Sequence, residues 1–193
     1  MKNKLFYFDT ETTGLDPYKN DILQLAALIE INGEVVEEFQ FCCQPFSYEN
    51  VEQKALEVNN YDLEAIQKFD MPEDCYARLV DMLGKYVDKF NTFDKFICCG
   101  FNVSFDIGFL KQFFFKNKDK YFGSWFEYKS LDMYSLVYLC DYMFNLRLPN
   151  HKLVTVAKHF GIAHNAHEAM SDIKVTREIF ARIRGHLTWS DAQ

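Results

Sequence analysis

Apolar and polar positions fall into two kinds of block along the chain. Leu5-Phe6-Tyr7-Phe8 is apolar at every position, so both faces of the segment avoid water, which predicts a central strand covered on two sides. Ile22 to Ile31 is apolar with little interruption, Asn32-Gly33 offers a tight turn, and Val35 to Cys43 is extended again. Strand, Asn-Gly, strand is a hairpin pattern, so the opening reads as three strands, at least two of them antiparallel. After Pro45 the period changes. Asp62 to Phe69 fits a short helix, and Asp70 to Asp74 has the Pro and acids of a helix start. Leu79, Leu83, Tyr86, Val87 and Phe90 then repeat at helical spacing. Phe96 to Gly100 reads as a fourth strand, Ser104 to Phe115 as a helix with Ile107, Leu110 and Phe114 on one side, and Leu131 to Leu139 as a helix. Leu153, Val156, Ala157 and Phe160 mark another helix, ended by Gly161, and Glu168 to Ile183 the last. Strands followed by helices alternating with one or two further strands predict one α/β domain on a mixed sheet across residues 1–193, its core at about 4–183.

Composition narrows the class. The chain has 193 residues, 49% of them hydrophobic, which excludes a disordered or low-complexity protein. Six cysteines include the adjacent pairs Cys42-Cys43 and Cys98-Cys99, whose side chains point to opposite faces of a strand. They read as reduced, buried small hydrophobes. No secretory signal and no membrane span is evident, so the expected compartment is the cytoplasm, with no membrane partner. With 28 acids against 21 Lys and Arg the net charge is -7, which disfavours a protein that coats nucleic acid with positive charge. An enzyme that grips nucleic acid briefly through metal ions stays open.

Three segments carry candidate chemistry. Asp9 and Glu11 close the first strand two residues apart, hence on one face. Two carboxylates side by side at an apolar strand end repel unless a cation lies between them, and hard divalent ions take such ligands. A bare Asp-x-Glu is equally an ordinary exposed strand end. Asp106 sits early on a helix among Phe105, Ile107, Phe109 and Leu110, in a protected place or simply favoured by the helix N-terminus. His167 and Asp172 are five apart, so they reach one site only if His167 precedes the helix that carries Asp172. Four carboxylates and a histidine in this order fit a two-metal phosphodiester hydrolysis site, with His167 as general base. Lys111 to Phe122 mixes Lys and Phe and reads as a helix end with core-facing rings rather than a stacking platform. Asp132 reads as a helix cap, and His159, His164 and His167 lack neighbouring cysteines that would make a zinc site.

These segments resemble the motifs of the DnaQ-like, or DEDDh, 3′–5′ exonucleases, which include the proofreading epsilon subunit of bacterial DNA polymerase III and the ribonuclease T and oligoribonuclease relatives. The resemblance runs from about residue 4 to 183 and rests on the Phe8 to Leu15 segment, on Gly100 to Leu110, and on His151 to Ile162 followed by His164 to Asp172. It implies a ribonuclease H-like fold and stepwise release of 5′-mononucleotides from a nucleic-acid 3′ end. It implies two Mg²⁺ or Mn²⁺ on Asp9, Glu11, Asp106 and Asp172, and His167 as general base. Thr12, Gly14 and Leu15 match the turn that holds the terminal nucleotide, and Asn102 and Phe105 match further substrate-side positions. Phe101 stands where many members carry His. Thr10-Glu11-Thr12-Thr13-Gly14 is nearer the epsilon-like pattern than the oligoribonuclease one, which favours single-stranded DNA over RNA. The alternatives are an exoribonuclease or a non-catalytic accessory protein on the same fold. The short tail after the last helix leaves any polymerase partner to dock on the domain itself; the oligomeric state is open.

Overall fold

The computed structural model describes residues 3–164 and 168–186. The unbroken apolar run at the start becomes β1 (Lys4–Thr12), buried on both faces until its last residues. β2 (Ile22–Ile31) and β3 (Glu34–Cys42) form the hairpin, with Asn32 and Gly33 at φ 54° and 92°, the left-handed pair that a two-residue turn demands. β4 (Phe96–Gly100) and β5 (Phe126–Asp132) complete a five-stranded sheet in the order β3-β2-β1-β4-β5. β1 pairs antiparallel with β2 and parallel with β4, and β4 is parallel to β5, so the sheet is mixed and β1 lies at its centre.

Period-two alternation divides the core between two faces. Phe6, Phe8 and Cys98 pack on one side with Leu79 and Leu83 of α3 (Pro72–Gly84) and Phe109, Leu110 and Phe113 of α4 (Ser104–Lys116). Leu5, Tyr7 and Cys99 face the other side, against Ala169 and Ile173 of α8 (Ala169–His186). The neighbours Cys98 and Cys99 thus enter opposite layers, and all six thiols are free. Phe6, Phe96 and Phe126 stack side by side across β1, β4 and β5 at 5.2–6.2 Å between centroids. Each buried ring contributes roughly 2–3 kcal/mol from area alone. α6 (Met133–Phe144) and α7 (Leu153–His159) form a smaller layer with α8 through Val137, Cys140, Val156 and Ile179.

Several elements depart from the sequence pattern. The helix expected from Leu131 begins at Met133, because Leu131 and Asp132 end β5. β5 carries no apolar run to mark it in the sequence: as an edge strand it exposes Glu127, Tyr128 and Lys129. α3 stops at Gly84, so Phe90, assigned to its apolar face, is 86% exposed instead. Between β3 and α3 the chain adds a 3₁₀ turn at Tyr48–Asn50 and the short helix α1 (Gln53–Val58), while α2 (Leu63–Ile66) falls within the expected Asp62 to Phe69 helix. α5 (Phe122–Trp125) is a single turn before β5.

Candidate active site

The carboxyl ends of β1 and β4 lie side by side, with Tyr7 opposite Cys99, so the residues that follow each strand converge. Gly100 permits the approach: a Cβ there would stand 3.1 Å from the Phe8 carbonyl oxygen and closer still to Val103. Asp9 and Glu11 share the β1 face of Leu5 and Tyr7, toward α8. Asp106, in the first turn of α4, arrives from the other layer and is buried. Its carboxylate is fixed by Thr10, whose N–H and hydroxyl donate to Oδ1 at 3.0 and 2.7 Å. Thr10, which lies between Asp9 and Glu11 in sequence, thus positions Asp106.

Burial, and after it the charges of Asp106, Glu11 and Asp172, holds the Asp9 carboxyl well above its ordinary range. Burial likewise pushes Asp106 up to about 7, although the Thr10 hydrogen bonds pull the other way. The structure therefore brings all four sequence-predicted acids into mutual electrostatic reach. They do not form a closed cage: among the described residues, no group of three or more His, Cys, Asp or Glu side chains converges as a metal site. Two of them are held by other partners, Asp106 by Thr10 and Asp172 by His164.

Asp172 lies in the first turn of α8, and its Oδ1 is 2.5 Å from His164 Nε2. His164 is nearly buried. The sequence pattern pointed instead to His167, which lies outside the described residues. Nothing in the eight-residue spacing of His164 and Asp172 marks a pair, because His164 lies outside α8 and no helical period relates the two. Asp9 and Asp172 line one small cleft with Phe101 and Leu153.

The turn after β1 is pinned from several sides. The Thr12 hydroxyl donates to the Gly14 carbonyl at 2.7 Å, and Asn59 Nδ2 donates to the Thr12 carbonyl at 3.0 Å. Asn20 Nδ2 donates to the Asn50 carbonyl at 2.7 Å, while Lys116 Nζ bridges the Asn20 carbonyl and Asp21. A Cβ on Gly14 would stand 2.4 Å from the Asn20 and Glu52 side chains, so only glycine fits. Leu15 projects from this scaffold, 79% exposed. Across the site Asn102 adopts φ 64°, and its N–H donates to Asp132 Oδ1 at 3.0 Å. Phe105 is half-buried against Phe109. Asp132 also accepts from Tyr134 N–H, so it caps α6 as expected and holds the Asn102 turn, a second task the sequence did not reveal. Lys111 to Phe122 buries Phe113 and Phe114 and presents Phe115 outward.

An exonuclease family model, RNase_T, matches residues 6–180. The chain belongs to this exonuclease family. A PolC-type DNA polymerase III from Oceanobacillus iheyensis is 30% identical over 188 residues, 96% of this chain and 11% of that protein. The 3′-5′ exonuclease DinG of Bacillus subtilis is 28% identical over 185 residues, 94% of this chain and 18% of that protein. This chain thus spans between a tenth and a fifth of the length of these relatives. The crystal structure of E. coli exonuclease I with a dT13 oligonucleotide superposes with TM-score 0.75 at 22% identity, over 94% of this chain and 41% of that one. That likeness, with the mixed five-stranded sheet, gives the exonuclease domain its ribonuclease H-like fold.

Proposed function

We propose that this chain is a divalent-metal-dependent 3′–5′ exonuclease that acts on single-stranded 3′ ends, DNA in preference to RNA, and releases 5′-mononucleotides. Asp9 carries the reading. It faces Glu11, Asp106 and Asp172 at the meeting point of β1, α4 and α8, where four carboxylates have mutually unfavourable charges. An all-oxygen acidic set of this kind suits hard cations, so the residues present fit two Mg²⁺ or Mn²⁺ held by Asp9, Glu11, Asp106 and Asp172. When bound, such ions supply Lewis-acid polarisation of the phosphate and of a hydrolytic water. The chain's own residues do the rest. Thr10 keeps Asp106 aimed with two hydrogen bonds. His167 takes the proton of the attacking water, a role supported by its place five residues before Asp172. His164 orients Asp172 through its Nε2. The rigid Thr12–Gly14 turn and Leu15 receive the terminal nucleotide, with Asn102 and Phe105 opposite.

The domain as a whole, residues 1–193, would act as one unit, with a polymerase as the partner suggested by the PolC-type relatives. Their names, with the Thr10 to Gly14 sequence, also support DNA over RNA. The test is 3′-end degradation of matched single-stranded DNA, duplex DNA and RNA, with Mg²⁺ and with EDTA. Single-stranded DNA is expected to be cleaved fastest and only with metal. Equal activity in EDTA overturns the mechanism, and faster cleavage of RNA overturns the sugar preference.

A further inference from the structure

We propose that the exposed face of α6 is a base-stacking track for the single strand upstream of the 3′ end, starting at Phe101 beside the acidic cluster. The inference rests on the exonuclease reading and adds a subsite to it. Phe101 lines the cleft that contains Asp9 and Asp172. Its ring meets Tyr134 edge-on at 5.8 Å. Tyr134 in turn contacts His151 at 6.2 Å, and Tyr138 contacts the same imidazole at 5.0 Å. Tyr142 follows one turn later. Tyr134, Tyr138 and Tyr142 are four residues apart, so their rings share one side of the helix and rise about 6 Å per step. Their exposure grows with distance from the acids, from 42% to 58% to 84%.

Tyrosines so open on a helix are not there to fill a core; their neighbours Val137 and Cys140 do that. The occupant is argued from continuity and charge. The track begins at the site where a 3′ end must lie, and Asp132 ties the two together by bonding both Asn102 and Tyr134. The only acid of α6, Asp141, is paired with His151 at 2.8 Å. The following loop exposes Arg147 and Lys152, cations suited to phosphates. Aromatic faces followed by cations at the end of the track accept any base sequence, as an exonuclease that advances along a strand requires. Phe101 in place of histidine then loses a polar contact and gains the first rung.

The test compares kcat/KM on oligothymidylates of two to ten nucleotides for wild type, Tyr142→Ala, the double variant Tyr138→Ala/Tyr142→Ala, and Tyr142→Phe. The ratio of the ten-mer to the dinucleotide is expected to fall about tenfold for each ring removed and to survive in Tyr142→Phe, because the ring and not the hydroxyl is used. A ratio unchanged by both alanines overturns the track. In parallel, a ten-mer with a 3′-terminal phosphorothioate and 5-iododeoxyuridine four to six nucleotides upstream should crosslink to a peptide containing Tyr138 or Tyr142. Crosslinking confined to other elements overturns the proposal, including the case where α6 is covered by a protein instead. Loss of cleavage on every length by the wild type would strike at the exonuclease reading, while the crosslink still reports on the track.

Discussion

At the scale of single residues, Asp9 shows how function and stability oppose each other. Its carboxylate is buried beside three others, so the folded chain carries a repulsion that the unfolded chain lacks. Asp9→Asn should abolish nuclease activity and yet raise the melting temperature in chelator by a few degrees, about what 1 kcal/mol gives in a chain of this size. Differential scanning fluorimetry beside an activity assay checks both. Asp106 adds a pH signature. Its folded pKa of about 7 lies above the ordinary 3.8, so the folded state holds the proton more tightly. That contribution is full below about pH 4 and is lost as pH rises through 7. In chelator the wild type should therefore lose stability relative to Asp106→Asn between pH 4 and 7, and a gap that stays flat would contradict the burial argument. His167→Ala should lower kcat by roughly 10²- to 10⁴-fold, the usual share of a general base. That Asp9 and Glu11 share a face was legible from the strand period, whereas Asp106 and Asp172 were grouped with them by motif order and resemblance, not by any period. The pairing of His164 with Asp172 was not legible, since His164 lies outside α8 and no helical period relates it to Asp172.

At the scale of elements, the site depends on turns that join strands to their helices. Gly14 is enclosed by Asn20, which is itself held by the Asn50 carbonyl, so the neighbour cannot yield to a methyl group. Gly14→Ala should cost about 1–3 kcal/mol as overpacking and raise KM more than it lowers kcat, measured by chemical denaturation and steady-state kinetics. Asp132 couples β5, the Asn102 turn and α6, and its loss would remove a cap and orphan the Asn102 N–H. The strands β1 to β4 were readable because each is an apolar run or a hairpin arm. β5 was not, because an edge strand shows water its polar residues, and α1 was obscured by its length of six residues, whereas α2 falls inside the Asp62 to Phe69 segment expected to be helical.

At the scale of the whole molecule, the net charge of -7 coexists with membership of a nuclease family. Asp9 lies within electrostatic reach of Glu11, Asp106 and Asp172, and on the proposed reading two divalent ions would bring about +4 of charge to them, making the site locally attractive to phosphate. On that reading, grip would depend on metal and on a few nucleotides at the end of the strand rather than on a long basic face. The central claim is met most directly by following a single-stranded DNA labelled at its 5′ end in time, with wild type and Asp9→Asn, in Mg²⁺ and in excess EDTA. A ladder that shortens one nucleotide at a time from the 3′ end, present only for the wild type in Mg²⁺, is the predicted result. Undiminished shortening in EDTA, or by Asp9→Asn, would contradict it.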